Sequence, residues 1–363
     1  MKRFWLKVII FILLFIPVFL YVQNVLHYRW PDDDTYAKSV DFTRQPADSV
    51  DVVAFGTSEM YAAYTPVVTY EEKGITGYNL AVENRSAITT YYQFQFMLKH
   101  QKPKIVICDF ACLFDDEYAL PSVSETIYRR IVDGTPDPAI RLKLIREICR
   151  VDPGQDPVSW LFPVFRYHSM WNEITADNFK WDKHEAITFE PFKKGAEAMP
   201  VHFDGEPYEI TPALWETDRS PDELKEFSMH YYDMMIAECK ENGIAVVGLL
   251  TPKVSDAAVY QTNYPVMQSY FDSRGVTGLN YNTYEQIERM GLSMEEDYMD
   301  AAHLNARGSE KFSRALAADL KAIFHDLPDR REDARISPSW DADLKSYHDM
   351  VEGAEAEYDQ EHR

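Results

Sequence analysis

Two short stretches of this chain hold residue types that carry out nucleophilic chemistry. The first is Phe55-Gly56-Thr57-Ser58-Glu59-Met60, which follows the apolar run at residues 50–55. A serine in the turn that leaves a parallel strand is held at the carboxyl edge of the sheet, where ligands bind. Gly56 lets the backbone turn tightly, and a helix starting there aims N–H groups at a developing oxyanion. Taken alone, Gly56-Thr57-Ser58 also describes a helix-capping serine. The second stretch is Asp300-Ala301-Ala302-His303-Leu304-Asn305. An Asp three residues ahead of a His can turn back to hold the imidazole in one tautomer, leaving the other ring nitrogen for a serine hydroxyl. Together Ser58, Asp300 and His303 make a candidate triad for acyl transfer through a serine ester.

The elements that must position these residues follow from hydrophobic pattern. Short apolar runs at residues 50–55, 77–81, 104–110, 244–250 and 276–281 alternate with helical segments, the signature of a parallel sheet covered by helices. Helices are predicted over residues 88–100 and 221–242. The second is opened by a capping box, Ser220 with Glu223, and closed by Gly243. A last helix over 309–325 carries Phe312, Leu316, Leu320 and Ile323 at helical spacing. The fold class that follows is a doubly wound α/β domain, spanning residues 31–328. Residues from about 113 to 219 interrupt the alternation and read as an insertion rich in proline and aromatic residues. Its segment 162–171 is expected to pack over the sheet as a lid or substrate wall. From Asp329 to Arg363 the chain is acidic and poor in apolar residues, as solvated termini are.

Composition bounds the function. The formal charge of −22 is borne by the body of the chain, because residues 1–30 hold four basic residues, Lys2, Arg3, Lys7 and Arg29, and no acid. So acidic a body argues against nucleic acid as a partner. The run 8–22, extended by Val25 and Leu26, approaches the roughly 20 residues that cross a bilayer. Basic residues before it and Asp32, Asp33 and Asp34 after it predict a single-pass anchor within residues 1–30, N-terminus cytoplasmic and body outside. A cleaved signal peptide is the alternative, although no small-residue cleavage site follows the run. Four cysteines, Cys108, Cys112, Cys149 and Cys239, lack paired metal spacing and are too few for a disulfide scaffold. They read as small buried hydrophobes, with a disulfide left open.

FGTSEM, the YNLAVENRS block after the second strand, the PKIVICDF strand, DAAHLNARGSEKF and the N-terminal anchor together resemble the SGNH hydrolase superfamily. Within it they are most similar to the DltD-like and AlgJ-like branch of membrane-anchored proteins of envelope-polymer acylation. The likeness covers residues 48–112 and 240–325. It implies the flavodoxin-like SGNH fold, with Ser58 as nucleophile, His303 as base and Asp300 as its orienting acid. Oxyanion donors would be the N–H groups of Ser58 and of the turn from Ala81 to Asn84. Asn84 stands where relatives commonly place a glycine, and Asn is the non-glycine residue that best tolerates left-handed φ. After the third strand, where the superfamily's name-giving Asn would fall, the chain reads CDFACLFDD. The implied activity is O-acyl transfer to an envelope polysaccharide or teichoic-acid-like polymer, with a membrane-bound O-acyltransferase as partner and no metal or organic cofactor needed. An esterase acting on envelope glycans and a non-catalytic polymer-binding subunit are the alternatives.

Other side chains keep two readings each. Glu59 tunes the nucleophile or favours the helix dipole. Asn305 braces the loop of Asp300 and His303 or caps the last helix. Tyr61 and Tyr64 wall an acyl pocket or fill core, and Arg166 and His168 bind an anionic polymer or serve structure.

Overall fold

The computed structural model describes residues 1–28, 34–83, 85–115, 119–180, 194–196, 203 and 206–361. In chain order, α1 (Lys2–Leu26) and α2 (Asp34–Arg44) precede β1 (Val52–Phe55), α3 (Ser58–Ala63), α4 (Pro66–Lys73), β2 (Gly77–Asn79), α5 (Ala87–Leu98) and β3 (Ile105–Cys108). Then come α6 (Pro121–Gly134), α7 (Pro138–Val151), α8 (Pro157–Leu161) and α9 (Pro163–Tyr167). The chain continues through α10 (Glu226–Glu241), β4 (Ala245–Leu250), α11 (Ala257–Asp272), β5 (Thr277–Asn280), α12 (Tyr284–Met290) and α13 (Met294–Asp297). It closes with α14 (Ala306–Ile323) and α15 (Ser337–Glu361). Two compact units result, Lys38–Ala119 with Pro191–Arg363, and Met1–Ala37 with Leu120–Glu190.

The first of these units is built on one five-stranded parallel sheet in the order β2-β1-β3-β4-β5. Strands buried on both faces need no alternation, which is why β1 reads VVAF and β3 IVIC. The order reverses direction between β1 and β3, the switch point at which open α/β sheets bind ligands. Phe55 pairs with Cys108, so β1 and β3 end level and the residues after them, Gly56 and Asp109, emerge side by side. Val52, Ala54, Ile105, Ile107, Val247 and Leu249 of the strands join one core with Met60 and Tyr64 and with Phe312, Leu316 and Leu320 of α14.

Several expected boundaries move for identifiable reasons. The helix predicted over 221–242 starts at Glu226, and the Ser220–Glu223 capping box does not open it. Asp222 is tied instead to Asn263 of α11, which accepts from its N–H at 2.8 Å and donates to its carboxylate at 3.0 Å. The last predicted helix begins at Ala306, where Asn305 caps it. The prolines that broke the sequence pattern between residues 113 and 219 partly open helices. Pro138 and Pro157 occupy first-turn positions behind the caps Asp137 and Asp156, where a missing N–H costs nothing.

The acidic end of the chain is not a solvated terminus. Arg330 grips Asp51 with two hydrogen bonds of 2.8 Å. Beyond it, Ile336, Trp340, Tyr347 and Val351 bury against Val67, Val68 and Tyr70 of α4. Spacings of seven and four residues put Trp340, Tyr347 and Val351 on one face of α15, with Ile336 just ahead of it, enough to dock a helix that is otherwise acidic.

The second unit is organised by α1, whose mean hydropathy of 2.6 over its best window makes it long and apolar enough to cross a membrane. The aromatic segment at 162–171, expected as a lid, belongs to this unit and packs on the last turns of α1. Phe162 meets Phe19 edge-on at 5.7 Å, and the Val164 N–H donates to Gln23 Oε1 at 2.8 Å. Asn24 donates to the Lys180 carbonyl at 2.7 Å, and Asn178 to the Val25 carbonyl at 2.9 Å.

Candidate active site

Ser58 is the first residue of α3, one residue beyond the turn in which Thr57 is the N-cap. What holds that turn is Asp109, the first residue after β3. Its Oδ2 accepts from the Thr57 N–H at 2.6 Å and the Thr57 hydroxyl at 2.9 Å, and its Oδ1 accepts from the Ala111 N–H at 3.1 Å. Burial pushes Asp109 up to about 6, although the Thr57 and Ala111 N–H donors pull the other way. From the other side the Val82 N–H donates to the Gly56 carbonyl at 3.1 Å. The far end of α3 is pinned by Asn79, whose amide donates to the Met60 carbonyl at 3.1 Å and the Tyr64 carbonyl at 2.8 Å.

His303 arrives from the opposite end of the chain because α14 packs on α3 and α4. The Thr65 N–H between those helices donates to Ser313 Oγ of α14 at 2.9 Å. The loop ahead of α14 is closed by a bridge between Tyr298 and Leu304. Within it the Asp300 carboxylate accepts from the N–H groups of Ala302 at 2.7 Å and His303 at 2.9 Å. Asn305 fills both of its expected roles: it donates to the Glu296 carbonyl at 2.8 Å, bracing the loop, and accepts from the Gly308 N–H at 3.1 Å, capping α14.

These supports bring the three candidate residues into one line. His303 Nε2 lies 2.8 Å from Ser58 Oγ, and His303 Nδ1 lies 2.9 Å from each Asp300 carboxylate oxygen. An ionised carboxylate only accepts, so Nδ1 carries the proton of the neutral ring and Nε2 presents a lone pair to the serine hydroxyl. Burial works to raise Asp300, but the hydrogen bonds from His303 and the Ala302 N–H outweigh it and hold its carboxyl below the ordinary range. Asp300 is therefore held as a charged acceptor for the His303 ring.

Ser58 opens on a cavity of about 440 Å³, lined among others by Thr57, Glu59, Arg85, Phe114 and Tyr260. Glu59 is ion-paired with the buried Lys253, whose ammonium lies 3.7 Å from the Tyr260 ring centroid. Burial alone would lower Lys253, yet Glu59 and Tyr260 raise it further, so it remains a cation beside the helix that Ser58 opens.

Not every expected residue joins the site. Ala81 is fully buried, and its N–H donates to Asn79 Oδ1 at 3.0 Å, so this amide is committed away from an oxyanion. Asn84 lies outside the described residues. The Ser58 N–H, an expected donor, stands at a first-turn position with no intrahelical acceptor. Tyr64 is wholly core, and Tyr61 packs against that core with Lys38 5.0 Å over its ring. Arg166 pairs with Glu125 at 2.9 Å and His168 lies on an exposed turn, both in the unit of α1. All four cysteines are free; Cys112 donates to the Arg85 carbonyl at 3.1 Å.

Asp109, Asn79, Arg85, Lys253 and Tyr260 were not singled out from the sequence. Of these only Asp109 carries a legible signal, an acid directly after a central strand, at the carboxyl edge of the sheet. Among the described residues no group of three or more His, Cys, Asp or Glu side chains is arranged to hold a metal ion. No family model matches this chain, and no curated protein sequence matches it.

Proposed function

We propose that this chain is a serine acyltransferase of the SGNH hydrolase type, working by an acyl-enzyme mechanism on a cell-envelope polymer. The observation that carries the reading is the unbroken line from Ser58 through His303 to Asp300 at the wall of a cavity. In the first step His303 Nε2 takes the Ser58 proton as Oγ attacks the carbonyl carbon of an acyl donor, while Asp300 steadies the imidazolium. Collapse of the tetrahedral intermediate returns that proton to the leaving oxygen and leaves the acyl group on Ser58. In the second step His303 deprotonates an acceptor hydroxyl, which attacks the acyl-enzyme and releases Ser58.

A water in place of that hydroxyl makes the same site an esterase. The reading of transfer to a polysaccharide or teichoic-acid-like polymer is supported by α1, whose length and apolarity suit a single-pass anchor, and by Lys2, Arg3 and Lys7 before the apolar run, which favour a cytoplasmic N-terminus. Tethering raises the local concentration of the site near a membrane-bound O-acyltransferase that would supply the acyl group. The test is incubation of the detergent-solubilised full chain with a fluorophosphonate probe and, separately, with p-nitrophenyl acetate in the presence of a glycan acceptor. Labelling at Ser58 with acyl appearing on the acceptor is expected. Neither labelling nor turnover would favour a polymer-binding subunit instead.

A further inference from the structure

The unit that contains α1 carries a second apolar surface that the catalytic proposal does not use. Leu161, Phe162, Phe165, Trp171 and Phe179 are all exposed, Trp171 by 71%. So many large apolar side chains within one short stretch mark a surface that meets something other than water.

Their place along α1 says what that is. A hydrocarbon core about 30 Å thick takes about 20 helical residues at roughly 1.5 Å each. Counted from Phe4, behind Lys2 and Arg3 and with the long Lys7 side chain reaching back to the headgroups, that length ends near Gln23, the residue whose side chain holds the Val164 N–H. Phe19, which touches Phe162, lies one turn inside that end. Asn24 and Val25, bonded to Lys180 and Asn178, lie just beyond it. The exposed aromatic residues are thus tied to the level at which the helix leaves the hydrocarbon, where aromatic rings concentrate in membrane proteins. Arg166 and Lys180, both half exposed beside them, are paired with Glu125 at 2.9 Å and Asp177 at 3.0 Å, so the polar rim of this surface is close to neutral.

We infer that residues 158–179 form a collar whose exposed aromatic side chains sit in the interface of the bilayer that α1 crosses. The inference rests on the reading that α1 spans the membrane. The occupant is lipid, because this surface continues the apolar surface of α1. Such a collar would fix the height and tilt of α1 with more than one attachment.

The test uses the full chain in liposomes whose acyl chains carry bromine, a contact quencher of tryptophan. Subtracting the emission of Trp171→Phe from that of the wild type isolates Trp171, and Trp5→Phe isolates Trp5 in α1 in the same way. Trp171 emission is expected to fall to less than half its value in unbrominated liposomes. Quenching of Trp5 without quenching of Trp171 overturns the collar while sparing the spanning helix, and would point to a protein partner or water at this surface. Quenching of neither removes the spanning reading itself and the collar with it. Trp171→Phe keeps an aromatic ring at an exposed position, so the readout does not depend on a disruptive change.

Discussion

Gly56 and Asp109 approach so closely that a methyl group on Gly56 would overlap the Asp109 carboxylate, standing 2.7 Å from its Cγ and 2.8 Å from Met60 Cβ. The turn before Ser58 is therefore built for a residue without a side chain. Gly56→Ala is expected to cost about 1–3 kcal/mol, as overpacking does, and to lower kcat by displacing Ser58. Thermal unfolding and p-nitrophenyl acetate turnover measure the two effects; a variant unchanged in both would refute the close packing.

The buried Asp109 makes stability depend on pH in a stated direction. Its folded-state value is raised to about 6, whereas an unfolded Asp titrates near 3.9. Between those values the folded chain binds more protons than the unfolded one, so this contribution to stability is present at low pH and is lost as pH rises through about 6. The loss is about 3 kcal/mol at about 1.4 kcal/mol for each tenfold in proton affinity. Asp109→Asn lacks this titration. Denaturant unfolding near pH 4 and near pH 8 should show the variant gaining on the wild type by that order, and a constant difference would contradict it.

The triad predicts unequal losses. Ser58→Ala and His303→Ala should each lower kcat by several orders of magnitude, and the double variant should cost little more than either. Asp300→Asn should be milder, keeping the shape but losing the charge that steadies the imidazolium. His168→Ala, on an exposed turn, should leave kcat unchanged. Probe labelling of Ser58 that survives His303→Ala but not His168→Ala would show that His303 is not the base.

Lys253 and Glu59 test a different kind of support. Removing the buried cation leaves Glu59 without its partner, and Lys253→Met should cost about 2 kcal/mol, less than a fully buried pair because Glu59 keeps some contact with solvent. Adding Glu59→Gln should recover much of that loss. A double-variant cycle read by thermal unfolding decides it, and strictly additive effects would show that the pair is not coupled.

Docking of α15 is expected to be a large part of the fold's stability. Trp340 is wholly buried, 5.1 Å from the Tyr70 ring and 4.9 Å from the Lys194 ammonium. Trp340→Ala should cost about 3–5 kcal/mol. A melting temperature unmoved by the change would mean that the end of the chain is solvated after all.

The amino-acid sequence by itself determined the parts whose code is local. Strands β1 and β3 are legible because burial on both faces demands an unbroken apolar run. Helix α1 is legible because no charged residue interrupts it from Val8 to Leu26, and the Asp300–His303 pair because a three-residue spacing lets a carboxylate fold back on an imidazole. Periodicity tells which face of an element is buried, not what it is buried against, and there the tertiary structure decided. The register of Phe55 on Cys108 sets Asp109 beneath Thr57, a partnership between residues 52 positions apart that no local pattern records. The packing of α14 on α3 carries His303 across 245 positions to Ser58. Acidic composition read as solvation at residues 329–363, yet four spaced apolar side chains were enough to dock α15 once α4 offered them a matching face. The aromatic run at 162–171 likewise had no sequence mark saying whether a sheet or an apolar helix would receive it. Aromatic side chains satisfy either surface, so only the three-dimensional course of the chain made the choice.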